Sequence, residues 1–97
     1  MNGVLIYVPD NVRFIRALLG DDVPSTHVDL ETAIAWGVDA TTLIEHTGGD
    51  YYGKWSDSYW DESVTAAMER RTNKIWAGKP TTAEDDQEIV AAFKAVQ

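Results

Sequence analysis

The apolar positions of the chain fall into short runs, and their spacing changes from strand-like to helical along the sequence. Val4-Leu5-Ile6-Tyr7-Val8 is short, apolar and β-branched, and it predicts a buried strand that Pro9 ends. Asp10 or Asn11 is placed to cap a helix running to about residue 19. Val12, Ile15, Leu18 and Leu19 form its stripe, Phe14 lies on the flank, Arg13 and Arg16 outside, and Gly20 just past its end. Residues 26–30 read as a short strand or as the entry to a helix. Asp29, three residues before Thr32, suits a helix start. Leu30, Ala33, Ile34 and Val38 give that helix a stripe, with Trp36 near it and Gly37 ending or kinking it. Residues 41–47 are rich in β-formers but alternate imperfectly. Gly48-Gly49-Asp50 predicts a turn, with residues 51–55 as the return strand of a hairpin. A helix over residues 39–46 is the competing reading.

The C-terminal third is the most regular. Asp57, Ser58 or Asp61 can cap a helix to about residue 77, with Val64, Met68, Arg71 and Ile75 at helical spacing beside Ala67 and Trp76. Arg70, Arg71 and Lys74 sit toward its C-terminal end, where cations suit the helix dipole. Gly78-Lys79-Pro80 stops it. Thr81 or Thr82 then caps a last helix with Glu84, Asp85 and Asp86 in its first turn and Ile89, Val90, Phe93 and Val96 as its stripe. A loop this short predicts antiparallel packing. The expected fold class is α+β: a small sheet, built from the N-terminal strand and the central hairpin, packed by helices and completed by a C-terminal helix pair. The expected organisation is one globular domain over residues 1–97.

Composition narrows the function classes. A chain 44% hydrophobic and 25% charged is globular, and with no Cys it has neither disulfides nor thiolate metal sites. The N-terminus lacks a basic n-region, its apolar run is too short for a secretory leader, and no stretch has the length of a membrane span. A cytoplasmic protein without membrane contact is expected. The net charge of −8 is unevenly placed: residues 17–68 carry ten acids against Lys54 alone, whereas residues 69–97 carry five acids and five bases. Such a surface repels nucleic-acid phosphates and lipid headgroups and attracts a basic groove.

The segment from Asp50 to Asp61 (DYYGKWSDSYWD) concentrates the candidate chemistry, with five aromatic residues and three Asp. Rings interleaved with small polar residues are typical of binding surfaces, since each ring supplies contact area at low entropy cost. Rings are also what a small core needs. A strand would put Tyr51, Gly53 and Trp55 on one face and Tyr52 and Lys54 on the other, whereas a helix would align Tyr51, Trp55 and Tyr59. The expected contact residues for a partner are Asp50, Tyr52, Trp55, Asp57, Trp60, Asp61 and Glu62.

Catalytic and metal chemistries find little here. His27 and His46 lie nineteen residues apart, no calcium-loop spacing occurs, and no cofactor is expected. Ser25-Thr26-His27 puts a hydroxyl near an imidazole in sequence only. Asp57 with Asp61, or Asp61 with Glu62, could form an acid pair walled by Trp55 and Trp60, but so short a chain has little room for a sugar cleft. No nucleophile elbow or phosphate loop is present. Arg70, Arg71, Lys74 and Lys79 form a local basic patch, better suited to pairing with nearby acids than to nucleic acid.

Tyr51-Tyr52-Gly53, Asp57 and Trp60-Asp61 together resemble the Tyr-Tyr-Gly…Asp…Trp-Asp segment of barstar-type ribonuclease inhibitors, small acidic proteins that plug a basic active site. The likeness covers residues 51–61. The chain departs from that pattern in the fifty residues that precede the segment and in lacking a strand after the following helix, so no residue roles carry over. In size and acidity the chain is also similar to phage anti-CRISPR and anti-restriction proteins. The function expected is therefore a small acidic protein-binding module, an inhibitor occupying a basic, nucleic-acid-binding surface of a partner protein. A homo-oligomeric assembly protein, in which Arg70, Arg71 and Lys74 meet the acidic middle of a neighbour, and a carbohydrate or small-molecule binder are the alternatives.

Overall fold

The computed structural model describes residues 3–97. The fold is α+β, and the chain divides into two compact units, Met1–Ser56 and Asp57–Gln97.

The first unit is a four-stranded sheet with two helices. Its elements are β1 (Leu5–Tyr7), α1 (Asp10–Leu18), β2 (His27–Asp29), α2 (Leu30–Trp36), β3 (Val38–Glu45) and β4 (Asp50–Trp55). The strand order is β2-β1-β4-β3, with β1 antiparallel to β2 and parallel to β4, and β3 antiparallel to β4. Residues 26–30 thus serve as both strand and helix entry. Asp29 ends β2 and caps α2, its carboxylate accepting from the Thr32 hydroxyl at 2.5 Å and from the Thr32 N–H. One face of the sheet is buried through Ile6, Val8, Val28 and Trp55, and α1 contributes Val12 and Ile15 to the core.

Local chemistry fixes the helix ends. The cap position of α1 is Pro9 rather than Asp10 or Asn11. Proline has no N–H to leave unsatisfied, and its carbonyl accepts from Arg13 N at 3.0 Å. Asp10 falls in the first turn instead, paired with Arg13. At the other end Gly20, at φ 93°, lets Asp21 N reach back to Arg16 O, and the Asp21 carboxylate accepts from Arg16 Nε at 2.8 Å. The Arg16 guanidinium lies 5.5 Å from the centre of the Trp36 ring.

Val38, expected in the stripe of the second helix, instead opens β3 opposite Trp55. Gly37 adopts a left-handed φ of 112°, which stops α2 and releases an extended chain, and its carbonyl accepts from Ser56 N. The hairpin β3–β4 forms as its Gly48-Gly49 turn requires, and residues 39–46 are not helical. Its imperfect alternation has a structural cause. Asp39 pairs with Lys54 and Ile44 with Tyr52, so residues 40–43 of β3 face Gly53 alone. A Cβ at Gly53 would meet Leu43 Cδ2 at 2.6 Å and Val38 Cγ2 at 3.1 Å, so glycine makes room for the bulge. Thr42 Oγ1 accepts the Lys54 N–H at 2.7 Å, replacing a ladder bond lost there.

The second unit is a one-turn 3-10 helix (Asp57–Trp60) followed by the pair α3 (Glu62–Trp76) and α4 (Ala83–Ala95). Tyr59 and Phe93 form the centre of its core, with ring centroids 4.8 Å apart, beside Val64, Ala67 and Ile89. The turn after α3 uses Gly78 at φ 72°, with Lys79 N bonded to Lys74 O and Gly78 N to Ile75 O. Asp85, only 7% exposed, accepts from Thr82 N at 2.8 Å and from Lys74 Nζ at 2.5 Å, tying the start of α4 to α3. The apolar stripe expected along α3 holds at Val64 and Ala67 but not in its last turn: Ile75 is 53% and Trp76 83% exposed. No helix among the described residues is long and apolar enough to cross a membrane.

Candidate functional site

The parity of β4 decides which rings of the central segment face outward. Trp55 shares the buried face with Ile6 and Val28, is 3% exposed, and donates its indole N–H to Tyr7 O at 3.2 Å. Expected as a contact residue, it is core, because an odd position on this strand points into the unit. Asp50 and Tyr52 occupy the even positions and lie on the open face.

On that face the strand register assembles two rows. Leu5 stands between Asp29 on β2 and Asp50 on β4. One pleat further, His27, Tyr7 and Tyr52 run side by side, and His46 from the hairpin turn closes the row. Ring centroids are 5.7 Å apart for Tyr7–His27, 5.0 Å for Tyr7–Tyr52 and 5.0 Å for His46–Tyr52. Tyr52 is 43% exposed, and Ile44, opposite it, is more open still. His27 is fixed between Thr26 Oγ1, 2.9 Å from Nδ1, and Asp50 Oδ2, 3.4 Å from Nε2. Hydroxyl, imidazole and carboxylate are thereby aligned, but Nε2 is shut off from solvent and makes no hydrogen bond, which fits a packed imidazole better than a working base.

The remaining expected residues belong to the second unit. Ser58 donates to Val96 O at 3.0 Å and Tyr59 is buried against Phe93, so the middle of the 3-10 turn is anchored. Three residues per turn then brings Asp57 and Trp60 to the same outer side, with Trp60 45% exposed. Asp61 caps α3, accepting from Ser63 N at 3.0 Å and Ser63 Oγ at 2.6 Å, and Glu62 follows exposed in the first turn.

The electrostatics of these carboxylates share one cause. The Thr32 hydroxyl lowers the Asp29 pKa, the Thr41 hydroxyl and N–H lower that of Asp39, and the Ser63 hydroxyl and N–H lower that of Asp61. In each case the main donor is neutral, so the anion is stabilised without being cancelled. Elsewhere acids meet cations: Asp10 with Arg13, Asp21 with Arg16, Asp85 with Lys74, Asp86 with Arg71 and Glu88 with Arg70. Within the stretch from Asp29 to Glu62, the Asp50 carboxylate lies 3.4 Å from the imidazole Nε2 of His27.

Sequence reasoning missed Tyr7, His27 and His46. The sequence offers the histidines as metal ligands, and His27 as an imidazole near a hydroxyl, but not as members of an aromatic row; among the described residues no group of three His, Asp or Glu could hold a metal ion. The available signal was the polar end of an otherwise apolar first strand: Leu5 and Tyr7 share a face with period two. Compared with protein-family models, curated proteins and solved structures, the chain gives no match.

Proposed function

We propose that the protein is a non-catalytic binding module that docks on a basic surface of a partner protein, with inhibition of a nucleic-acid-binding protein as the role its charge fits best. The observation that carries this reading is the contrast between the two sets of carboxylates. Asp29, Asp39 and Asp61 keep their charge against neutral donors, while five cations of the chain are engaged by acids outside the stretch from Asp29 to Glu62. Spaced, ionised carboxylates beside exposed rings imitate phosphates beside bases, and a field of one sign accelerates association. Asp50, Tyr52, Asp57, Trp60 and Glu62 are the proposed contacts, with Asp61 presenting its charge from the α3 cap.

The test is recovery of partners on the tagged chain from host lysate, with and without nuclease, at low and high salt. A basic nucleic-acid-binding protein retained after nuclease and released by salt is expected. Replacing Asp57 and Glu62 together by Lys should abolish its retention while leaving the melting temperature nearly unchanged; Asp61 is left intact because it caps α3. Retention that survives both the double variant and high salt would refute the electrostatic reading.

A homo-oligomer is the second reading, favoured by Ile75 and Trp76 standing exposed on the last turn of α3. Its charge argument is weaker, because Arg70, Arg71 and Lys74 already pair with acids of α4.

A further inference from the structure

Resting on the reading of a basic partner, we infer that the open face of the sheet seats an arginine side chain of that partner, with the guanidinium against the exposed part of the Tyr52 ring and its N–H groups on the Asp50 carboxylate. The two phenol rings of Tyr7 and Tyr52 pack on each other in a tilted stack, centroids 5.0 Å apart and planes 33° apart. Tyr7 thus backs Tyr52, which is nearly half exposed. The faces of aromatic rings carry negative potential and attract a cation laid across them. Asp50 emerges two residues before Tyr52 on the same face of β4, which sets a carboxylate beside that ring. Its polar neighbour within the chain is the His27 imidazole, 3.4 Å away.

Charge complementarity selects the occupant. Asp29, Asp39 and Asp50 share this face with Lys54, and Lys54 stands directly across from Asp39 in the register. A phosphate-bearing ligand would meet carboxylates where it needs cations, so the rings are poorly placed to stack nucleic-acid bases. A cationic side chain meets the opposite. Guanidinium fits better than ammonium because it is planar, more weakly hydrated, and able to stack on a ring while donating two bonds to a carboxylate. A second copy of this chain is a poor source, since Arg13, Arg16, Arg70 and Arg71 are each ion-paired to acids of their own chain. Exposed Leu5 and Ile44 on the same face would cover the aliphatic stem of the incoming residue.

The test uses the full chain labelled with nitrogen-15 and titrated at low salt with a short Gly-Arg repeat peptide, against matched Gly-Lys and Gly-citrulline peptides. Amide shifts centred on Tyr7, Asp50 and Tyr52 are expected, with the arginine peptide binding about tenfold tighter than the lysine peptide and the citrulline peptide not binding. Tyr52→Ser and Asp50→Asn, both at solvent-accessible positions, should each weaken arginine binding by about threefold to tenfold with the rest of the spectrum unchanged. Equal binding of arginine and lysine peptides on this face would overturn the inference. So would arginine-dependent shifts confined to Asp57 and Glu62, although the basic-partner reading would then survive. If no salt-dependent binding of either basic peptide occurs, both fall.

Discussion

Asp61 and Asp85 are the same chemical group at the start of two successive helices, and they do opposite things with their charge. Asp61 takes its hydrogen bonds from Ser63, so its pKa falls while its charge remains visible to solvent. Asp85 takes its strongest from Lys74, with Thr82 N second, so its pKa falls while its charge is cancelled locally. The difference extends to the surrounding regions. Asp29 and Asp39 follow the first pattern, and on α4 Asp86 and Glu88 are, like Asp85, paired with cations of α3. The net charge of −8 therefore does not act evenly. What a partner senses is set less by how many acids a region holds than by whether their donors are neutral or cationic.

If the ion pairs between α3 and α4 mainly place charge, apolar packing should carry the stability of that unit. Phe93→Ala should cost about 3–5 kcal/mol, the usual range for emptying an aromatic site in a core. Arg70→Ala, which removes the exposed pair with Glu88, should cost no more than about 1 kcal/mol. Urea denaturation followed by tryptophan fluorescence measures both. The comparison breaks if the two losses are similar. The same Phe93 substitution also removes the ring that Tyr59 packs on, so the turn presenting Asp57 and Trp60 should lose its fixed geometry.

The features legible in the sequence are those whose cause lies within a few residues. Gly37 and Gly20 as helix ends, Asp29 with Thr32 as a cap, Thr81 or Thr82 as the start of the last helix, and Gly48-Gly49 as a hairpin turn are each set by local backbone needs. The alternation Tyr51, Gly53, Trp55 against Tyr52, Lys54 was legible as well, but its direction was not. Which face meets the core depends on β1 lying parallel beside β4, a contact between residues more than forty apart. The same pairing brings Tyr7 against Tyr52 and His27 against Asp50, so the aromatic row could not be read from spacing. Val38 was misread because its helical spacing from Ile34 agrees with α2, while the left-handed turn at Gly37 overrides it.

Acid and salt should separate the two kinds of carboxylate. Asp29, Asp39, Asp61 and Asp85 all have lowered folded-state values, so each contributes stability that is complete above the unfolded carboxyl range and lost as pH falls through the lowered value. Denaturation midpoints should stay level from about pH 7 to about pH 5 and fall below about pH 4. Lys74→Gln should raise the Asp85 value, by an amount that shrinks in about 1 M salt. Ser63→Ala should raise the Asp61 value by an amount that salt leaves alone, because a neutral donor is not screened. Carboxyl titrations by NMR read both, and equal salt sensitivity would erase the distinction.

The smallest expected effect is at Trp76. A ring 83% exposed gives up little on truncation, and Trp76→Ala should change stability by no more than about 0.5 kcal/mol. That insensitivity is what makes the variant informative. A large exposed ring beside exposed Ile75 either contacts nothing or meets another molecule. Sedimentation of the wild-type chain and of Trp76→Ala across a concentration series distinguishes the cases. Identical monomer profiles would leave the central carboxylates as the favoured contact surface. A wild-type oligomer that the substitution dissociates would mean that the helix pair, with its charges internally paired, associates through apolar contact while the central stretch acts through its charge.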